Sequence, residues 1–99
     1  MSFNQLVWNK CREIPKGKVS TYKLLAEAIG HPKAFRAVGG ALNKNPHSPI
    51  VPCHRVVNSK GHLHGFAHGL TKKKEMLEQE GIEVSKNKIN LEKFLYNFK

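Results

Sequence analysis

The chain has 99 residues, with 17 Lys and Arg against 7 acids and a formal net charge of +10, which describes one small folded domain suited to a polyanion, nucleic acid ahead of a membrane surface. All 7 acids are Glu, so chemistry that strictly needs Asp, such as the multi-aspartate metal sites of many nucleases, is excluded. No apolar run approaches the roughly 20 residues of a membrane span, no signal-peptide pattern opens the chain, and two cysteines, Cys11 and Cys53, are too few for a disulfide scaffold; a cytoplasmic or nucleoid-associated protein with free thiols is expected.

Ser2 followed by Gln5 has the spacing of a capping box. Phe3, Leu6, Val7, Cys11 and Ile14 then recur at helical intervals, predicting a first helix from Phe3 to Glu13 that Pro15 and Gly17 end. Ser20 or Thr21 caps a second helix with Leu24, Leu25, Ala28 and Ile29 on one face, and Gly30 fits its C-terminal stop. A third helix opens after Pro32, with Ala34, Val38, Ala41 and Leu42 as its apolar stripe. Two such helices joined by a short Gly-containing turn have the form of a helix-turn-helix. Residues 44–52 carry three prolines, which forbid a regular helix. An extended piece from Cys53 to Val57, a turn over 58–61, an irregular stretch over 62–69 and a fourth helix from Leu70 to Glu80, stopped by Gly81, follow. Asn90 caps a last short helix whose Leu91, Phe94, Leu95 and Phe98 share one face. A helix this short is unstable alone, so it is expected to dock on the body.

Three features bear on chemistry. Cys53 next to His54 pairs a nucleophile with a base; a buried Cys beside a satisfied His is the plainer alternative, and Cys11 on the first helix's stripe reads as core. His62, His64 and His68 fit no standard zinc spacing with Cys53, so no metal is expected. Gly39-Gly40 lies inside the third helix, where each Gly costs about 1 kcal/mol relative to Ala. Either another helix packs closely there, or the bare surface must approach a nucleic-acid backbone.

Pro52-Cys53-His54-Arg55-Val56 resembles the active-site motif of the O6-alkylguanine-DNA alkyltransferases, the methylated-DNA–protein-cysteine methyltransferases. Phe35 to Leu42 resembles that family's recognition helix, Lys44-Asn45-Pro46 its hinge, Thr21 to Ala26 the start of its first DNA-facing helix, and Glu80-Gly81 the site of its buried glutamate. The similarity covers roughly residues 3–84. It implies a mainly helical winged-helix (helix-turn-helix) domain with one or two very short strands over residues 1–84, followed by a C-terminal extension over 85–99. Most members carry a further N-terminal domain with no counterpart in the resemblance, and the docked extension is expected to stand in for part of it.

The resemblance also implies roles. Cys53 is the nucleophile and alkyl acceptor, His54 the base acting through a water, and Glu80 the group orienting His54. Tyr22 rotates the base and donates to a guanine ring nitrogen, and Asn45 is the hinge. Arg36 is the finger that fills the space left by a flipped base; Ala34, Ala37, Gly39, Tyr22 and Thr21 meet the minor groove. Val56, Phe66, Ala67 and Lys73 line the lesion pocket, with Phe66, Ala67 and His68 departing from the usual residues there. The partner implied is double-stranded DNA containing alkylated guanine, bound by a monomer without cofactor, membrane or metal. The rival readings are an alkyltransferase-like protein that holds the lesion without transfer, whose relatives commonly replace the motif cysteine by Trp, a helix-turn-helix regulator, and a thiol hydrolase.

Overall fold

The computed structural model describes residues 1–46, 50–63 and 69–98; Phe66, Ala67 and His68, assigned above to the lesion pocket or its rim, and His64 lie outside them. In chain order the elements are α1 (Phe3–Cys11), β1 (Ser20–Thr21), α2 (Tyr22–Ala28), α3 (Phe35–Asn43), a 3-10 turn (Cys53–Arg55), β2 (Val56–Val57), α4 (Leu70–Gln79) and α5 (Leu91–Phe94). This is a mainly helical winged-helix arrangement with one two-stranded parallel sheet, in which Ser20 pairs with Val56 and Thr21 with Val57. Among the described residues, no helix is long and apolar enough to cross a membrane.

Local chemistry sets the helix ends. The Ser2 side chain accepts from the Gln5 N–H, and the Gln5 side chain accepts from the Ser2 N–H, so the capping box forms in both directions. Thr21 caps α2 by accepting from the Leu24 N–H at 3.1 Å. α2 closes on Gly30 at φ +81, with His31 N–H donating to the Ala26 carbonyl and Gly30 N–H to that of Glu27. α4 closes the same way on Gly81 at φ +86, with donation from Ile82 to Leu77 and from Gly81 to Glu78. Both are Schellman turns, which need a left-handed residue just past the helix, and the second fixes where Glu80 stands.

Two buried clusters form the interior. The first gathers Val7, Cys11, Ile14, Leu25, Val38, Leu42, Cys53 and Val56 between α1, α2 and α3, and the Trp8 indole donates to the Ala41 carbonyl at 2.8 Å across it. The second gathers Val19, Val57, Leu63, Leu77, Ile82, Ile89 and Phe94. Val56 and Val57 are consecutive yet belong to different clusters, as alternation along a strand requires. The chain therefore crosses from one core to the other just after Cys53.

Two expectations are corrected. Cys53 to Arg55 is a 3-10 turn and not extended chain. Pro52, at φ −82 and ψ 65, makes an inverse γ-turn in which the Cys53 N–H donates to the Val51 carbonyl at 2.8 Å, and the following residues coil from there. Strand neighbours would point apart, whereas here Cys53 and His54 are both buried.

The C-terminal segment docks, though not as one helical face. α5 is a single turn capped by Asn90. Leu95 then pairs in parallel with Val19, whose N–H donates to the Phe94 carbonyl at 2.9 Å and whose carbonyl accepts from Tyr96 at 2.7 Å. Phe94 enters the second cluster, Tyr96 and Phe98 pack against the first, and Leu95 is exposed. An unpaired backbone edge at Val19 is costly, and satisfying it draws the chain out of helix after Phe94.

Candidate active site and nucleic-acid face

The short turn after Pro52 brings three functional side chains together. His54 is almost fully buried, and its Nε2 lies 3.0 Å from Glu80 Oε2. Arg55 forks onto the same carboxylate, Nε to Oε1 at 2.9 Å and Nη2 to Oε2 at 2.6 Å, and its Nη1 donates to the Ile14 carbonyl at 2.9 Å. One guanidinium thus ties the chain after α1, the cysteine turn and the end of α4 into one unit. Planar two-point binding of a carboxylate is what Arg does and Lys cannot. The sequence pattern does not single out Arg55 as a site residue; the signal it offers is a place beside His54 in a chain with few acids.

The electrostatics give His54 a definite state. Burial lowers its pKa below the ordinary 6.5, outweighing the hydrogen bond and charge of Glu80 that raise it. Burial would raise Glu80, but the hydrogen bonds from Arg55 and His54 hold it below 4.5. Near neutrality the pair is therefore a neutral imidazole facing a carboxylate. A carboxylate only accepts, so Nε2 carries the proton and Nδ1 presents a lone pair. Nδ1 is buried and has no hydrogen-bond partner among the described residues.

Cys53 is 7 % exposed. Cys11 is wholly buried, and burial together with the neighbouring Cys53 pushes its thiol up to about 12. That makes it a poor nucleophile at neutral pH. Asn45, just beyond α3, donates from Nδ2 to the Val51 carbonyl at 2.9 Å, joining the recognition helix to the cysteine loop. Lys73 reaches from α4 to the Val56 carbonyl at 2.6 Å, and burial lowers it to about 8. The Val56 and Lys73 side chains are fully buried, so Lys73 meets the backbone carbonyl of Val56 inside the protein.

Arg36 and Tyr22 stand on the outer side of the helix pair. With Gly39, Gly40, Asn43 and Asn58 they line a cavity of about 440 Å³. Tyr22 is part-buried, and burial with the two cysteine charges pushes its phenol up to about 12, so it remains a donor at neutral pH. Ala37 is exposed and Ala34 partly so. Thr21 differs from its assignment to the DNA surface: it is buried with its hydroxyl engaged as the α2 cap. The glycine pair is not explained by internal packing. A Cβ at Gly40 would meet nothing within 4 Å, and one at Gly39 would make ordinary contact with the Tyr22 ring at 3.8 Å. The open side of α3 is bare although the protein has no packing need for it. Among the described residues, no group of three or more His, Cys or Glu gathers as a metal site would.

A helix-turn-helix with a small-residue outer surface, backed by a cysteine turn whose His54 and Arg55 share the Glu80 carboxylate, defines the class of winged-helix DNA-binding domains. The chain belongs to the family described as 6-O-methylguanine DNA methyltransferase, DNA binding domain, whose model matches residues 2–82. It is 52% identical over 79 residues to the methylated-DNA–protein-cysteine methyltransferase of Methanosarcina acetivorans, covering 80% of this chain and 51% of that protein. It is 48% identical over 81 residues to the Haemophilus influenzae protein of the same name, covering 82% and 45%. The chain thus spans about half the length of these relatives.

Among solved structures, Mycobacterium tuberculosis OGT in complex with DNA matches with a TM-score of 0.79 and 44% identity, covering 81% of this chain and 50% of that one. S. pombe Atl1 in complex with damaged DNA containing O6-carboxymethylguanine matches with a TM-score of 0.86 and 34% identity, covering 97% of this chain and 98% of that one. The second likeness takes in the C-terminal segment as well.

Proposed function

We propose that the chain repairs DNA by direct reversal: Cys53 takes the alkyl group from O6-alkylguanine in double-stranded DNA, once and irreversibly. The observation that carries this reading is the His54–Glu80 pair, which leaves a neutral imidazole with a free Nδ1 lone pair on the residue next to Cys53, the less deeply buried of the two cysteines. The α3 surface lies along the minor groove, with Gly39, Gly40, Ala37 and Ala34 allowing close approach. Arg36 enters the stack in place of the flipped nucleotide, whose extrusion costs a few kcal/mol.

The transfer balances with the groups present. Nδ1 of His54, through one water, takes the thiol proton. The sulfur then attacks the alkyl carbon, the S–C bond forms, and the C–O6 bond breaks with its electron pair left on guanine. The Tyr22 hydroxyl, still protonated at neutral pH, stabilises that charge at a ring nitrogen. Asn45 holds the loop against the recognition helix, and Arg55 holds Glu80 so that the imidazole keeps its tautomer. The thioether has no regenerating partner, and the reaction uses no cofactor. A monomer in the cytoplasm or on the nucleoid suffices.

Peptide mapping after incubation with a duplex containing O6-methylguanine tests this. Methyl is expected on the Cys53 peptide and none on that of Cys11; methyl on Cys11, or full transfer by Cys53→Ala, contradicts it. The whole-chain likeness to Atl1 favours a second reading, lesion binding without transfer. Tight binding of the lesion duplex with an unmodified Cys53 would establish it instead.

A further inference from the structure

A second groove runs beside the first, lined by Ser59, Lys60, His62, Lys86, Lys88 and Asn90, among others. Its three lysines face one carboxylate in the lining, Glu92, and none of the three has an ion-pair partner among the described residues. Two of them lie beyond residues 2–82, where the family match stops.

These lysines are held in place by the backbone. Ser85 and Lys88 exchange N–H···O bonds at 3.0 and 2.9 Å around Lys86 and Asn87, at φ 52 and 59. That is a two-residue hairpin with both central residues left-handed. The hairpin is pinned to the preceding turn: Leu63 N–H donates to Asn87, Ile89 N–H to Gly61, and His62 lies opposite Lys88. The approach at Gly61 is so close that a Cβ there would sit 2.4 Å from the Ile89 carbonyl oxygen. Ile89 is buried beneath.

The groove also adjoins, along the chain, the cavity that Arg36 lines. Asn58 lines the cavity with Tyr22 and Arg36, and its neighbours Ser59 and Lys60 line the basic groove. The Asn58 side chain accepts from the N–H groups of Lys60 and His62 at 3.0 and 2.8 Å, making the turn between the two sites rigid.

We propose that the groove is a phosphate-binding strip that lengthens the DNA footprint, with Lys86 and Lys88 of the C-terminal segment and Lys60 of the turn gripping the backbone beside the lesion. The proposal rests on the DNA-binding reading above. It adds phosphate interactions that carry no sequence information and set register and grip.

The test is the salt dependence of binding to an undamaged duplex, on the full chain. Each phosphate that the protein ceases to neutralise makes the log–log slope shallower by about 0.9, so Lys86→Asn/Lys88→Gln is expected to flatten it by about 2. Asn keeps the left-handed position at 86, and an unchanged melting temperature reports that the variant folds. The control Lys18→Gln/Lys93→Gln removes the same charge away from both grooves and is expected to move the slope much less. Equal slopes for the two double variants, or a groove variant with the parent slope, overturn the proposal and leave the lysines to an acidic protein or to solubility. A parent chain whose DNA affinity is flat with salt overturns the DNA-binding reading itself.

Discussion

The two cores of this small domain are built by different means. The first is a three-helix packing whose helical residues, Val7 to Leu42, recur at helical spacing, and its outer side carries Arg36 and the bare α3 surface. The second is assembled from single residues of β1's approach, β2, α4 and the C-terminal segment, joined by backbone pairing at Val19, Gly61 and Leu63. The cysteine centre belongs wholly to neither. Cys53 sits in the first core, Glu80 ends the helix of the second, and Arg55 holds the two together. Binding surface and supporting frame can therefore be perturbed separately, and their seam cannot.

Removing the frame's largest buried side chain should separate stability from chemistry most clearly. Phe94→Ala is expected to cost about 3–4 kcal/mol, read as a lower melting temperature. Transfer from the free base O6-benzylguanine at low temperature should persist, because Phe94 belongs to the second cluster and Cys53 to the first. Loss of the free-base reaction in a folded Phe94→Ala would mean that the two cores act as one.

At the seam both properties should fall together. Glu80→Gln removes the charge that Arg55 and His54 share and leaves one amide oxygen where two carboxylate oxygens accepted from both. A loss of about 3 kcal/mol is expected for breaking a largely buried pair, with a slower Cys53 reaction on duplex and free base alike. A variant that loses stability and reacts at the parent rate would reduce Glu80 to a structural role.

Acid should attack the same seam. His54 is depressed below 6.5 in the fold, so as pH falls through that window the unfolded chain takes up a proton that the folded chain refuses. Glu80 is depressed below 4.5, so the stability it contributes is present above that value and is lost as pH falls further. Both shifts have the same sign. The melting temperature is expected to drop from about pH 6.5 downward, and His54→Gln should lose the upper part of that decline. A melting temperature flat between pH 7 and 5 would contradict the assigned states.

The smallest expected effect has opposite signs on the two properties. Gly40→Ala should stabilise α3 by about 1 kcal/mol, since nothing in the protein meets the added methyl, and should weaken duplex binding. Stabilisation without loss of DNA affinity would mean that the bare surface is not at the groove.

The same contrast governs how much the sequence alone makes legible. Helices α1 to α3 announce themselves through a capping box, Thr21, Gly30 and a 3.6-residue period, because their packing partners are each other. Cys53, His54, Glu80 and Asn45 are readable from the family motif, and the structure brings His54 to Glu80 and Asn45 to the cysteine loop. The 3-10 turn is hidden by the apolar pair Val56-Val57, although Pro52 holds the deciding geometry. Leu91, Phe94, Leu95 and Phe98 fit one helix face, but the open edge at Val19, invisible locally, pairs with Leu95 and takes the chain out of helix after Phe94. Thr21 could cap or touch DNA, and its burial decides for the cap. The Arg55 fork spans three distant segments, which no local pattern reveals.

The central claim is that the seam exists to make Cys53 a one-use acceptor. Intact-protein mass measured while a duplex containing O6-methylguanine is titrated in tests it most directly. The account predicts that the chain gains the mass of a single methyl in place of hydrogen, rises linearly to one equivalent and then stops, with Cys53→Ala gaining nothing. An unmodified mass at saturating lesion duplex, or demethylation continuing well past one equivalent, would contradict it.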